Sequence, residues 1–396
     1  MRYNCLVTKF RVFFLVITLL LVGFFATIAS WYARGYRFNF KTLRFSPSGL
    51  LVIKSEPTGA QIFVNGDLKS ATDATISLSP NTYDVSVRKD GYLPWNKRMV
   101  IEKEVVAEAQ VSLFRAAPSL TPVTFSGSIN PVPSEDLSRI AYAVPVTKEP
   151  NAVSKTGLWV IETADLPLGF SRDPRRIADG DYSTATWQFS PDGRQLLVTT
   201  KTGIYLIDSG TFTPQNSMTN VASKKEAILK DWETQKKNKT SAQIKNLPDD
   251  VADILTRKAS LVTFSPDENK ILYTASGSAS LKSDLIKELP GSSTQAQERT
   301  IETGKTYVYD IKEDRNFKVG DEGQVLHWFP TSIHLVLAEE AKITVMDYDG
   351  TNRQAVYTGS YISPNAYPYA NTSKLLILTN LGSNGSVANL YSLSLK

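Results

Sequence analysis

A chain of 396 residues, 42% hydrophobic and 21% charged, is long enough to build more than one core, and its single cysteine, Cys5, excludes disulfide bracing of whatever follows. The formal charge of +5 is local: seven of the 44 basic residues and no acidic one fall in residues 1–44, leaving 37 basic against 39 acidic residues beyond. That near-neutral body lacks the concentrated basic face needed to neutralise phosphates, so nucleic-acid binding is excluded.

Val12 to Tyr32 runs twenty-one residues without a charge. As a helix rising about 1.5 Å per residue it covers roughly 30 Å, the thickness of a hydrocarbon core. It closes on Trp31 and Tyr32, rings that suit a lipid interface. A cleaved secretory signal has an apolar region of only about 7 to 15 residues, and here Ala29, Ser30 and Ala33 are interrupted by Trp31 and Tyr32, which spoils a small-x-small cleavage site. The segment reads as a retained signal anchor, with membrane lipid as its partner along residues 12–32. Flanking cations are Arg2, Lys9 and Arg11 before it and Arg34, Arg37, Lys41 and Arg44 after it. Long globular regions are translocated largely regardless of that balance. The predicted arrangement is a cytoplasmic stub over 1–11, a single pass through the cell membrane, a juxtamembrane segment over 33–48 and extracytoplasmic domains beyond.

Residues 49–115 break into short alternating runs, LLVIKS, AQIFVNG, ATISLS, TYDVSVRKDGY, KRMVIEK and EVVAEAQVSLFR. Brief strands between Pro, Gly, Asn and Asp turns predict a small β-sandwich, and Asn65-Gly66 predicts a tight hairpin because both residues tolerate positive φ. Pro57, Gly59 and Ala60 in SEPTGAQIFVNG, then Asn65-Gly66, Thr72, and Gly91-Tyr92 with Trp95, resemble the PEGA domain. The chain departs from that pattern at Ser70 to Asp73, where Gly-x-Thr-Pro is usual, and at Asn81. The resemblance implies a compact extracytoplasmic β module of bacterial envelope and surface proteins, without established catalysis. Tyr92 and Trp95 are candidates for an aromatic platform that stacks on carbohydrate or peptide; packing inside the sandwich is the structural alternative.

From residue 116 to 396 the chain repeats. FSPDG at Phe189–Gly193 recurs as FSPDE at Phe264–Glu268, each followed by two apolar alternations. A period of a few tens of residues marks a stacked supersecondary unit, and five such units predict a β-propeller of about five blades. The Ser-Pro-Asp-Gly turn resembles WD-type and TolB-like propeller repeats, which bears on fold and not on activity. The last unit is one strand short, and LTPVTFSG at Leu120–Gly127 precedes the first as an orphan, so the orphan is expected to complete the last blade. Residues 221–258 interrupt the ring with helical periodicity, one stripe carrying Ala227, Ile228 and Trp232 and another Ile244, Leu247, Val251, Ile254 and Leu255. The insertion is expected to emerge on one face of the disc, either as a docking arm, with Trp232, Lys225, Lys230 and Lys236 as the contact residues, or packed down on the ring. Gly277 to Thr303, rich in Ser, Gln and Glu, reads as a mobile loop.

Chemistry has few carriers. The two histidines, His327 and His334, are seven residues apart, which on one strand puts them on opposite faces, so neither a zinc site nor a Ser-His-Asp triad is expected. Asp208, Asp310, Asp347 and Asp349 follow third strands and read as turn residues. The sequence therefore predicts an all-β protein with an N-terminal transmembrane helix, a PEGA-like sandwich and a propeller. Its expected role is non-enzymatic, a binding or scaffolding protein of the bacterial cell envelope with no catalytic, cofactor-binding or metal residues and no cofactor. Its expected partners are envelope protein or polysaccharide. The alternative reading is a propeller-type enzyme acting on envelope polysaccharide.

Overall fold

The computed structural model describes residues 3–33, 36–39, 44–146, 155–163, 173–287, 289–369, 373–382 and 387–396. The flanking cations Arg2, Arg34 and Lys41 lie outside them. The molecule divides into two compact units. The first comprises Met1–Lys89, Pro94–Leu113 and Leu289–Gln295, and the second Asp90–Leu93, Phe114–Glu288 and Ala296–Lys396.

In the first unit a helix α1 spans Tyr3–Ala33. Its stretch Val12–Ala33 is apolar and long enough to cross a membrane, and none of it is buried against protein. Thr18 and Thr27 turn their hydroxyls back to the carbonyls of Phe14 and Gly23, 2.8 Å each, so the polar atoms on this stripe are satisfied within the helix. Two antiparallel strands follow, β1 (Arg37–Asn39) with β2 (Arg44–Ser46).

The sandwich is built from β3 (Gly49–Glu56), β4 (Gln61–Val64), β5 (Asp67–Ala71), β6 (Ala74–Leu78), β7 (Asn81–Arg88), β8 (Trp95–Ile101) and β9 (Val106–Ser112). One sheet has the order β6-β3-β9, with β3 and β9 parallel, and the other β5-β4-β7-β8. Alternate residues Leu51 and Ile53, Ile62 and Val64, and Val85 and Val87 are buried, the period of two expected of strands with one face on a core. Asn65 and Gly66 take φ of 50° and 86° and join β4 to β5 in two residues, as the sequence predicts.

Among the described residues the second unit holds five blade sheets and one further two-stranded pair. Blade 1 is β11 (Ile129–Pro133), β12 (Arg139–Val144), β13 (Gly157–Glu162) and β14 (Arg175–Asp179), preceded in the chain by β10 (Ser119–Pro122). Blade 2 is β15 (Thr186–Phe189), β16 (Gln195–Thr199) and β17 (Ile204–Asp208), without a fourth strand. Blade 3 is β18 (Ala259–Phe264), β19 (Lys270–Ala275), β22 (Lys305–Asp310) and β23 (Arg315–Asp321), with a small pair β20 (Ala279–Ser280) and β21 (Thr300–Ile301) between its second and third strands. Blade 4 is β24 (Val325–Trp328), β25 (His334–Glu339), β26 (Lys342–Asp347) and β27 (Gln354–Thr358), and blade 5 is β28 (Ala366–Pro368), β29 (Lys374–Thr379) and β30 (Asn389–Ser394). The orphan β10 pairs antiparallel with β30, Leu120 opposite Leu393, and supplies the fourth strand of blade 5. His327 and His334 therefore stand on two neighbouring strands rather than on one.

The first and second strands of each blade are joined through the same hydrogen bond. The N–H of one residue donates to the carbonyl five residues on: Ser134 to Arg139, Ser190 to Gln195, Ser265 to Lys270, Phe329 to His334 and Tyr369 to Lys374, at 2.8 to 3.2 Å. Side-chain alternation on the following strand then assigns residues to the two neighbouring blades. Leu196 and Val198 pack with Ala141 and Ala143 of blade 1, Leu335 and Leu337 with Leu272 and Val308 of blade 3, and Leu375 and Ile377 with Val336 and Ala338 of blade 4. Ile140 and Tyr142 pack with Leu376 and Leu378 of blade 5.

Blade 3 breaks the series. Its equivalent pair, Ile271 and Tyr273, packs on Ile244, Leu247, Val251, Ile254 and Leu255 of the insertion. There α2 (Lys225–Ile244) and α3 (Asp249–Arg257) form an antiparallel helical hairpin. It leaves from Val221, whose N–H bonds the carbonyl of Ile204, and returns at Lys258, whose carbonyl accepts from Ser276. At the opposite rim Lys236 and Lys239 approach Glu135 of blade 1 at 3.4 and 3.6 Å, and Gln243 donates to Glu268 of blade 3 at 2.7 Å. The insertion thus occupies the slot between blades 2 and 3 and runs from rim to rim, instead of emerging on one face. The reason is the wide apolar flank of blade 3, which blade 2 does not cover.

The excursion after Gly277 is also more ordered than its composition suggests. Leu281 and Ile301 are buried, Arg299 pairs with Asp314 at 2.9 Å, and the Asn316 amide donates to the carbonyl of Glu298 at 2.7 Å. Its tip, Leu289–Gln295, belongs to the first unit. There the Thr294 hydroxyl accepts from the Val100 N–H and the Gln295 amide donates to the carbonyl of Arg98.

Candidate functional site

The residues that the sequence nominates for partner binding do not converge. Trp95 opens β8 with 3% of its surface exposed, inside the sandwich core, so its face is closed to a sugar or peptide. Tyr92 is half-buried, bridges to Arg115 and counts with the second unit. Trp232 is 7% exposed and buries the one large ring of α2. Lys236 faces Glu135, whereas Lys225 is half-buried and Lys230 exposed, each without a side-chain hydrogen bond or ion pair.

The other residues shared with the PEGA pattern build turns. Thr72 is the hub: its hydroxyl accepts the Ala60 N–H at 3.0 Å, its carbonyl accepts the Gly59 N–H and its own N–H reaches the Ala60 carbonyl. Gly59 and Gly91 have φ of 73° and 81°, which a Cβ would strain. The Asn65 side chain accepts from the Asp84 N–H at 2.9 Å, holding the hairpin to β7, and Pro57 supplies a carbonyl to the Ser55 hydroxyl. Ala60 is fully buried and Gly66 exposed.

On the propeller rim, the repeated Ser-x-Asp turns hold their own carboxylates. The hydroxyls of Ser134, Ser190 and Ser265 each donate to the carboxylate two residues on, Asp136, Asp192 and Asp267, at 2.6 Å. At Asp267 burial raises the pKa, but the hydroxyl of Ser265 and the amides of Asn269 outweigh it and bring it down to about 2. The Ser190 hydroxyl and the Arg194 N–H likewise lower Asp192. These carboxylates are fixed anions that hold turns, not proton carriers.

The buried charges are engaged too. Lys270 stands 3.9 Å from Asp310 with its ammonium 4.7 Å over the Tyr348 ring; burial raises the Asp310 pKa, and Lys270 opposes it. Asp314 takes bonds from Arg299, from the Tyr309 hydroxyl and from the Leu285 N–H. His334, 2% exposed, has Thr331 at 3.1 Å and Asp347 at 3.6 Å and meets the rings of Phe114 and Phe329 edge-on. The aspartates at strand ends hold turns, as the sequence suggests: Asp208, Asp310 and Asp349 accept from the N–H groups of Gly210, Lys312 and Thr351, and among the described residues no cluster of three His, Cys, Asp or Glu could hold a metal.

What the sequence reading missed is the lining of the ring. The first strand of each blade gathers at the centre. Tyr367 of β28 donates to the Pro131 carbonyl of β11, Trp328 of β24 to the Thr263 carbonyl of β18, and Trp187 of β15 to the Ala141 carbonyl of blade 1. The five first strands read INPVP, TWQF, ASLVTF, VLHW and AYP, without a single Asp, Glu, Lys or Arg. Asn130, Thr186, Gln188, Leu261 and Thr263 on them are exposed. Asn130 and Leu261 occupy corresponding places at β-bulges, with φ of 48° and 52°. The side chains of Asn130, Thr186, Gln188, Thr263 and His327 make no hydrogen bond within the described chain. Burial lowers the His327 pKa to about 4, so its imidazole is neutral near pH 7 and offers one donor and one acceptor. The signal was present in the strands as a want of charge, which is harder to notice than a motif.

Comparison with known proteins finds a family match for the first module. The PEGA domain family model matches residues 48–116. No curated protein matches the chain. Among solved structures, a putative TolB from Agrobacterium tumefaciens is 13% identical over 69% of this chain and 80% of its own, with a TM-score of 0.23. TolB from Acinetobacter baumannii is 13% identical over 79% of this chain, with a TM-score of 0.21, and only 60% of its length is spanned. The β-propeller domain of Myceliophteria thermophila Cps50 (Swd1) is 8% identical over 71% of this chain and all of its own, with a TM-score of 0.29. The blade assignment rests on the strand ladders and not on these superpositions.

Proposed function

We propose that this is a single-pass protein of the bacterial cell envelope that holds a PEGA sandwich and a propeller on the outer side of the cytoplasmic membrane as a non-enzymatic binding or scaffolding surface for envelope protein or polysaccharide. The observation that carries the reading is the joining, in one chain, of an apolar helix with no protein packed on it to two β modules whose buried charges are engaged in structural pairs. Such a helix has lipid as its natural solvent. A propeller offers broad loop-built faces on a stiff frame. The runner-up, a polysaccharide-cleaving enzyme, needs two carboxyl groups converging on a glycosidic bond, and the first strands supply none.

On this reading Lys225 and Lys230, the two nominated lysines of the helical hairpin that pair with no carboxylate, are the candidate protein contacts of the insertion. The test has two steps. Alkaline carbonate washing of membranes from cells expressing the full chain should leave it in the pellet, and protease added to spheroplasts should digest the region beyond residue 46; recovery in the soluble fraction, or protection, overturns the topology. Capture of envelope fractions on the membrane-extracted full chain, with and without Lys225→Glu and Lys230→Glu, then reports binding. Deleting residues 221–258 is a poor substitute, because that removes the filling of a ring slot together with the lysines.

A further inference from the structure

We infer that the charge-free end of blade 5, presented by Phe125, Val146, Ile362, Leu381 and Val387, is the surface through which one copy of this chain meets a second. The inference goes beyond the reading above and takes from it only that the chain is anchored by α1.

The first observation is a cluster. Among the described residues the second unit exposes seven large apolar side chains, and these five sit on loops tied to one another. The Ile362 N–H donates to the Leu378 carbonyl at 2.8 Å and the Thr379 hydroxyl to that of Ser360 at 2.6 Å, which sets Ile362 beside the turn carrying Leu381. Thr379 in turn pairs with Asn389, two residues from Val387. The Asn389 side chain accepts from the Gly127 N–H and the Thr124 hydroxyl at 2.9 and 3.0 Å, so the loop bearing Phe125 rests on the start of β30. A Cβ on Gly127 would lie 2.5 Å from the Val387 side chain and 3.3 Å from Pro145, the neighbour of Val146. Phe125 itself is 79% exposed.

The second observation is charge. Residues 116–134 and 354–395 supply every strand of blade 5 and carry a single Asp, Glu, Lys or Arg, Lys374, in a chain where 21% of residues are charged. Lys374 opens β29, at the far end of its ladder from Thr379. On the blade 4 side the surface is bordered by Glu339 and Lys342, paired at 3.1 Å, whose turn is tied to the Gly359 N–H through the Ala341 carbonyl. An apolar middle without charges and a charged border is the composition of a protein interface, core and rim.

Together these features select the occupant. A lipid surface is bound by apolar side chains acting with Lys and Arg that meet anionic head groups, and here the cations are missing. A charged partner would lose hydration with no counter-charge to meet it. A second copy meets neither cost: in a two-fold contact the same patch faces itself, which like charges forbid and a neutral surface allows. Without electrostatic steering association runs at only about 10⁵–10⁶ M⁻¹s⁻¹, and anchoring offsets this because copies held in one membrane meet at high local concentration. The anchor agrees. Gly23 and Thr27, Ala26 and Ser30, and Ala29 and Ala33 are small residues four apart on α1, the spacing of helices that pack together in lipid, and the Thr27 hydroxyl is turned back onto the Gly23 carbonyl.

The test uses the full chain in the membranes of expressing cells. Phe125→p-benzoylphenylalanine, irradiated there, is expected to give an adduct of twice the chain's mass containing only this chain; an adduct with lipid or with a different protein, or none, overturns the inference. Two differently tagged copies, solubilised together in mild detergent, should be captured as a pair. Phe125→Lys with Val387→Lys in both copies should reduce capture by about tenfold or more, because like charges then face each other. Mixing that copy with one carrying Phe125→Glu and Val387→Glu should restore most of it. Both positions are exposed, so melting temperatures should match the wild type, and rescue by opposite charge cannot come from a folding defect. Capture indifferent to these charges, as when α1 alone holds the copies, or capture lost without rescue, overturns the patch. Either failure leaves the envelope-binding reading standing. Recovery of the chain in the soluble fraction does the reverse, removing the anchor while a persisting charge rescue keeps the interface.

Discussion

The Tyr367 hydroxyl donates to the carbonyl of Pro131 at 3.0 Å across 236 positions of sequence, tying the first strand of blade 5 to that of blade 1. Two independent latches therefore hold the ring at this seam, the other being the β10–β30 ladder. Tyr367→Phe should lower stability by about 1 kcal/mol. Deleting residues 119–122 should cost on the order of 2–4 kcal/mol and leave β30 as a bare edge. Urea midpoints together with light scattering check both, and an unchanged midpoint in the deletion would contradict closure by β10.

Removing the helical hairpin should be worse than removing a surface arm. Ile271, Tyr273, Tyr307 and Tyr309 would lose their cover, and replacing residues 221–258 by a short Gly-Ser linker should reduce stability by at least about 4 kcal/mol or prevent folding. Lys225→Ala with Lys230→Ala should move stability by less than about 0.5 kcal/mol. Thermal melts of the two variants side by side distinguish a ring filler from an appendage.

Acid should loosen the rim turns. The folded Asp267 pKa is depressed to about 2, so its stabilisation is complete above the unfolded value near 4 and is lost as pH falls from about 4 through 2. After allowance for solvent screening the amount is on the order of 1 kcal/mol. Ser265→Ala, which removes a hydroxyl donor to that carboxylate, should raise the Asp267 pKa and flatten the loss, as measured by stability at pH 2 to 5.

His327 acts over a higher range. Because burial depresses its folded pKa to about 4, the unfolded chain protonates first as pH falls. Stability contributed by the neutral ring is complete above about pH 6.5 and declines toward pH 4, by on the order of 3 kcal/mol. His327→Gln should remove that slope between pH 6.5 and 4 in urea titrations.

In the sandwich, a Cβ on Gly49 would lie 2.2 Å from the Glu102 carbonyl oxygen and 2.6 Å from the Ile101 side chain. Gly49→Ala should destabilise the protein by about 2 kcal/mol, since backbone must shift to admit it. The melting temperature of the isolated variant protein reports it.

Much of this architecture is visible in the residues because strands with one buried face alternate and turns have strong local chemistry. Asn65-Gly66 and the Ser-Pro-Asp turns declare themselves for that reason. The burial of Trp95 and Trp232 was not visible, since a large ring near a turn or amid lysines reads equally well as a platform or as filling. The slot between blades 2 and 3 was hidden for another reason: the helices cover Ile271 and Tyr273 of the strand that follows them, and periodicity names a stripe without naming its partner. Likewise Arg299 and Asn316 organise a segment whose Ser- and Gln-rich composition suggests a loose loop.

The tip of that segment, Leu289–Gln295, is coded within the propeller's stretch of sequence yet counts among the sandwich's residues through Val100 and Arg98. A lesion at Thr294 would consequently be felt as weakening of a module whose own strands ended nearly two hundred positions earlier. Nicking the chain there, with both flanking ladders untouched, would deprive the smaller domain of a borrowed clasp, so tolerance to insertion cannot be judged from which exon-sized block a position falls in.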